Sequence, residues 1–288
     1  MNLKPLFTIA FLFILNFASA QNNQFIYDYK FKMDSLNRDQ VENEVMMLET
    51  SKEGSKFYSY VKYVYDSTMT ATFKQANMKS QTNFDFTGLK NAKVKFSVTK
   101  KYPNFSTILR TEIGSTDLLL ESKDKLVWKI TPEKDEILGY KVQKATTKWE
   151  GRNWIAWFAT ALPIQDGPYR FFGLPGLILK LEDAKGDHQF NIIAIKKSDE
   201  ILNQKINFGK SPTEILVSEE KFRNLWADYK KDPAKDFRQT LNSNTKLSVS
   251  VTFDGKTYNG DEMARQIEKE GRESIISTNN FIELNLYK

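Results

Sequence analysis

Acid–base chemistry in this chain would have to come from the stretch between Asp166 and His188, where Asp166, Glu182, Asp183, Asp187 and His188 lie close in sequence. Two carboxylates there could divide the work of general acid and general base, and Asp187-His188 could relay a proton. The context argues otherwise. Ala184-Lys185-Gly186-Asp187 is a turn sequence that accounts for its own residue types and leaves His188 as a solvated turn residue. No Gly-x-Ser-x-Gly elbow is present to hold up a nucleophile. The reading is a non-catalytic protein, with a carboxylate-dependent hydrolase as the alternative.

Composition removes further chemistries. The chain has no cysteine and His188 is its only histidine, so thiol catalysis, iron–sulfur clusters and sites built from several Cys or His ligands are unavailable. A site of carboxylates alone would suit a hard ion such as calcium, and neither a metal nor a cofactor is expected. The net charge of +6 is spread along the chain, with no basic helix and no basic–aromatic ladder to stack bases, so nucleic acid is not an expected partner.

Aromatic residues offer binding rather than bond-making. Trp154, Trp157, Tyr169, Phe171 and Phe172 crowd one short region. Trp157, Tyr169 and Phe171 are expected to meet, because the Leu162–Gly167 connection is short, and to line the open mouth of a curved sheet as a site for an apolar ligand. The plainer alternative is that these rings fill core. A third possibility is an accessory of an outer-membrane transporter or secretion system, bound through an exposed sheet edge, for which 281–287 is the candidate strand.

These residues need a scaffold, and the patterning makes it mainly β. Phe25, Tyr27, Tyr29, Phe31 and Met33 alternate with polar residues, as in a strand with one buried face. A hairpin is predicted from 41–50 and 56–66 around Lys52-Glu53-Gly54-Ser55. Short strands follow at 94–100, 106–112, 117–122, 126–131 and 137–147, with turns at Ile113-Gly114-Ser115 and Thr131-Pro132-Glu133. Ser218 caps a helix over 219–231, in which Phe222, Leu225, Trp226 and Tyr229 share a face and which Pro233 ends. A second helix is predicted over 261–270, capped by Asp261 and stopped by Gly271, with strands at 247–253 and 281–287. The sum is one α+β domain over 21–288: a curved antiparallel sheet or incomplete barrel with one or two C-terminal helices.

The most distinctive run is Gly173-Leu174-Pro175-Gly176-Leu177-Ile178. Pro175 fixes its own φ and extends Leu174, and Gly176 is expected to supply the positive φ of a type II turn feeding a strand over 177–182, paired with 189–196. The run follows Trp154-Ile155-Ala156-Trp157-Phe158 and Gly167-Pro168-Tyr169-Arg170-Phe171. With these residues the chain resembles the GLPGLI family of exported Bacteroidota proteins, strongly over 137–196 and weakly elsewhere. Asn279-Asn280-Phe281-Ile282-Glu283-Leu284 is similar to the family's usual close, with Phe281 where proline is common. Val142 stands where many members carry cysteine, so a function needing that thiol would be lost. The resemblance implies export and a β-rich fold, and it names no reaction.

Export also follows from the first residues. Lys4 supplies a positive start, 6–17 is apolar but too short to span a bilayer stably, and Ala18-Ser19-Ala20 supplies small residues for cleavage, which places the product in the periplasm or outside the cell. Protein isolated from its host is expected to begin at Gln21, in part as pyroglutamate. N-terminal mass spectrometry that finds Met1 retained contradicts this.

Overall fold

Period-two alternation decides most of the architecture. The computed structural model of the protein describes residues 23–79, 90, 92–123, 125–197, 213–243, 250–253 and 256–288. The expected export segment 1–20 lies outside the described residues. The elements in chain order are β1 (Asn23–Phe31), β2 (Glu42–Thr50), β3 (Gly54–Ser59), α1 (Tyr60–Lys79), β4 (Ser97–Lys101), β5 (Ser106–Ile113), β6 (Thr116–Ser122), β7 (Lys129–Ile137), β8 (Tyr140–Trp149), β9 (Arg152–Ala159), β10 (Leu177–Asp183), β11 (His188–Lys197), β12 (Ile215–Val217), α2 (Glu219–Lys231), α3 (Lys235–Ser243), β13 (Ser250–Phe253), β14 (Lys256–Asn259) and α4 (Gly260–Ser277).

The fold is mainly β, as expected. β1 to β6 form one antiparallel meander and β7 to β11 another, and β1 pairs with β11 to join them. β12 adds to β6 in parallel, so the large sheet is mixed, and it stays open with β12 and β7 as its edges. At the join Tyr29 stands opposite Phe190 and Phe31 opposite His188. Their rings, with Tyr27, Phe57, Trp154 and Phe158, build the core on the inner face. Tyr29 and Phe190 stack with centroids 4.1 Å apart. Leu138-Gly139 and Glu150-Gly151, all at positive φ, make the two-residue turns on either side of β8.

Several predicted elements differ. The strand expected to run to 66 stops at Ser59, whose side chain accepts from the Lys62 amide at 3.0 Å and caps α1 instead. Tyr60 to Tyr65 are β-formers held helical by packing on β2 and β3. The expected turn at Thr131-Pro132-Glu133 lies inside β7, where a register slip between Ile130 and Lys134 accommodates the proline on an edge strand. α4 starts earlier, with Asn259 and Glu262 in a capping box, and Gly271 sits buried within it because Pro233 packs where a Cβ would be. Of the strand predicted over 247–253, residues 247–249 lie outside the described residues.

The largest change is at the C-terminus. Residues 281–287 are turns rather than a strand, with Leu286 bonding back to Glu283. Phe281 and Tyr287 stack at 3.7 Å, whereas a strand would hold residues six apart about 20 Å from each other. The edge expected for a partner strand is therefore absent at 281–287.

The signature corner is corrected as well. Gly176 has no positive φ; the left-handed residue is Gly173, at φ 92. The Gly176 amide bonds the Leu174 carbonyl at 2.8 Å, a three-residue turn around Pro175. Glycine is required at 176 because a Cβ would collide with the Ala159 carbonyl and the Thr160 amide, whereas at 173 the space is open. Gly176→Ala is expected to lose at least about 2 kcal/mol of stability, from overlap with backbone that cannot move aside, and Gly173→Ala only about 1 kcal/mol, from strain. Denaturant unfolding of both variants checks the order.

Candidate functional site

Three buried cations organise the inner side of the sheet. β9 opens on Arg152, which the Glu150-Gly151 turn directs toward the β10–β11 hairpin. Its guanidinium donates to Asp183 at 3.2 Å, Asp187 at 3.3 Å, the Asn280 side chain at 2.6 Å and the Phe281 carbonyl at 2.7 and 2.9 Å. Asp183 in turn accepts from the amides of Asp187 and His188 at 2.7 and 2.8 Å. Arg170 donates to both oxygens of Glu283 at 2.9 Å, and Tyr169, at φ 52, adds its hydroxyl at 2.7 Å. Lys100, fully buried, meets Asp166 and the carbonyls of Gly167 and Tyr169, each at 2.7 Å, while the Tyr102 hydroxyl donates to the other Asp166 oxygen.

The carboxylates singled out as acid–base candidates thus hold the fold. Asp166, Asp183 and Asp187 each face a buried cation or Arg38, and Glu182 pairs with Lys180 at 3.0 Å. No group of three or more potential metal ligands occurs among the described residues. His188 is not a solvated turn residue: it is 2% exposed, and its Nδ1 lies 2.8 Å from the Tyr29 hydroxyl. Burial first, and then the Arg152 guanidinium, push the imidazole down to about 3, against the opposite pull of Asp183, Asp187 and the Asn280 backbone.

Arg152 and Arg170 together pin residues 280–283 across the inner face. Beside that strap lies a cleft of about 320 Å³. β1 contributes Tyr29 and Phe31 to it, α2 contributes Trp226 and Tyr229, and the strap contributes Phe281 and Tyr287, with Phe96, Ile113, Tyr169 and His188 completing the apolar wall. Lys93, Lys95, Glu112 and Ser274 border the same space.

Of the three predicted ligand-facing rings, the structure brings one here. Tyr169 lines the cleft. Phe171 is fully buried against Trp149 and Trp154, at 5.0 and 4.7 Å, and is core. Trp157 is half-buried on the opposite face of β9 from Trp154, between Lys144 and Lys180 on the neighbouring strands. The expected meeting of Trp157 with Tyr169 and Phe171 fails because alternation along β9 sends Trp154, not Trp157, inward. Gly173, Leu174, Pro175, Gly176, Leu177 and Ile178 form the corner: Gly173 bonds the Gln165 carbonyl, Leu177 that of Leu162, and Ile178 that of Asp166. Tyr27 donates its hydroxyl to the Ile178 carbonyl at 2.8 Å, tying the corner to β1. Sequence reasoning placed Trp226 and Tyr229 on one face of α2 without pointing them to a cleft, and missed Tyr287 and Phe281 as cleft residues.

A family model described as "Protein of unknown function (Porph_ging)" matches residues 150–180. This segment carries Arg152, Asp166, Tyr169, Arg170 and the corner up to Ile178. No curated protein matches the chain. Among solved structures it is similar to PNGF-II in the P21 space group, at 16% identity and TM-score 0.47, covering 72% of this chain and 33% of that one. The C2 form gives 17%, 0.47, 72% and 32%. The chain thus spans about a third of the length of these solved chains.

The His188 environment generates a pH dependence. A histidine in the unfolded chain titrates near 6.5, and the native imidazole at about 3, so between those values the unfolded chain holds a proton that the native one refuses. Stability must then fall as pH drops from about 6.5 toward 3, on the order of 1 kcal/mol per unit, and carry no such slope above that window. Denaturant unfolding of the wild type at about pH 7.5 and pH 5 is expected to show this loss, and His188→Gln, though less stable, to show little of it. Equal slopes would assign the titration elsewhere.

Proposed function

We propose that this is an exported, non-catalytic protein of the GLPGLI type, acting in the periplasm or outside the cell, which holds a small apolar ligand in the cleft between its sheet and its C-terminal strap. The observation that carries this reading is the cleft: about 320 Å³, walled by aromatic rings on three different elements, and of the size that small-molecule sites occupy. Export is supported by the charged start, short apolar run and small-residue end of 1–20. Among the described residues no helix is long and apolar enough to cross a membrane.

The non-catalytic part is supported by how the reactive groups are engaged. Glu283 is held by Arg170 and Tyr169, and the carboxylates beside His188 by Arg152 and Arg38. Activating a water or a substrate hydroxyl would require one of these to give up a buried cation, which costs several kcal/mol. A binding role asks nothing of them beyond holding the walls in place.

The uncharged fluorophore N-phenyl-1-naphthylamine tests the site. The wild type is expected to bind it with a blue-shifted rise in emission. Ser274 is exposed at the cleft mouth, so Ser274→Trp blocks entry without disturbing the core. The variant should bind at least about tenfold more weakly at an unchanged melting temperature. A wild type that binds no fluorophore, or a variant that binds as well as the wild type, overturns the proposal.

A further inference from the structure

The charges around the cleft, counted one by one, bear on what it holds. Five of its lining side chains are charged or could be: Lys93, Lys95, Glu112, His188 and Glu283. Lys93 pairs with Glu42, Lys95 with Glu112, and Glu283 with Arg170. The two rim pairs are partly exposed and sum to zero; the inner pair is buried and also sums to zero. Burial keeps His188 neutral over the ordinary pH range. No lining charge is left over to meet a charged headgroup. The wall itself is unfavourable to anions, because ring faces carry the negative side of the aromatic quadrupole. An ammonium group would suit the rings better, but neither lining carboxylate, Glu112 or Glu283, is unpaired to receive it.

His188 adds no polar anchor to this wall. Tyr29 and His188 share a hydrogen bond at Nδ1, and the phenol is the better donor of the two, which leaves the ring proton on Nε2. Nε2 is closed to solvent and turned toward the Asn280 backbone, so His188 presents the cleft with an uncharged ring and no accessible donor.

We infer that the cleft takes an uncharged apolar ligand and discriminates against a carboxylate or an ammonium group on the same hydrocarbon chain. This rests on the cleft being a ligand site at all, and the experiment separates the two claims. N-phenyl-1-naphthylamine bound to the wild type is displaced in parallel by 1-decanol, sodium decanoate and decylamine hydrochloride at neutral pH. Decanol is expected to displace it at concentrations at least about tenfold lower than either charged analogue, since nothing in the cleft compensates their desolvation. Decanoate or decylamine displacing as well as decanol overturns the inference while leaving the ligand site standing. A protein that binds no fluorophore overturns both.

Discussion

Everything on the inner side of the sheet depends on Arg152. A chain without cysteine has no covalent means of closing its C-terminal segment over its own core, and this one does so with a buried guanidinium that reaches two carboxylates, a side-chain amide and a carbonyl at once. Burying a charge is unfavourable unless its partners nearly complete its hydrogen bonding, and here the planar fork of arginine finds an acceptor in each direction it points. The same residue then acts on its neighbours. It holds the β10–β11 turn, adds to the burial that keeps His188 unprotonated, and starts the strap that Arg170 and Glu283 continue.

The geometry of that strap explains why its residue pattern misleads. Phe281, Glu283 and Tyr287, with Ile282 and Leu286, show the spacing of a half-buried strand, yet Glu283 points inward to Arg170 and the two rings fold back to stack. A buried ion pair over a sequence separation of 113 cannot be read from local periodicity. Tyr60 to Tyr65 mislead in the same way: their types favour a strand, and a serine cap with contacts to β2 and β3 makes them helical. The hairpins were legible because their cause is local. Alternation along β1, β10 and β11 and the run of α2 after Ser218 each follow from residues within one element.

His188 and Gly176 show a subtler limit. Turn-forming neighbours made His188 look solvated, and the turn is there, but its backbone amides are taken by Asp183 and the ring turns in toward Tyr29. Proline before glycine made Gly176 look like a left-handed residue, whereas it is the closeness of the Ala159 backbone that excludes any side chain. In both cases the residue type was read as a statement about its own backbone when it was a statement about a neighbour distant in sequence. Trp157 is the converse case. It lies on β9, and one step of alternation puts Trp154 inside in its stead.

The segment matched by the family model, 150–180, holds the scaffold side of this arrangement and little of the cleft. Arg152, Asp166, Arg170 and Gly176 all lie within it, and each acts on buried backbone or buried charge. Of the residues that line the cleft, Tyr169 alone falls inside those bounds, and even it is shared, since its hydroxyl is given to Glu283. The remaining wall comes from β1, the segment before β4, β5, β11, α2, α4 and the strap. A chain could therefore keep the matched segment unchanged, along with the clasp and the corner it builds, and still reshape the cleft through Phe31, Ile113, Trp226 or Tyr287. In physical terms the matched segment specifies how the strap is fastened over the sheet, and the shape of the cleft is left to rings that it does not include.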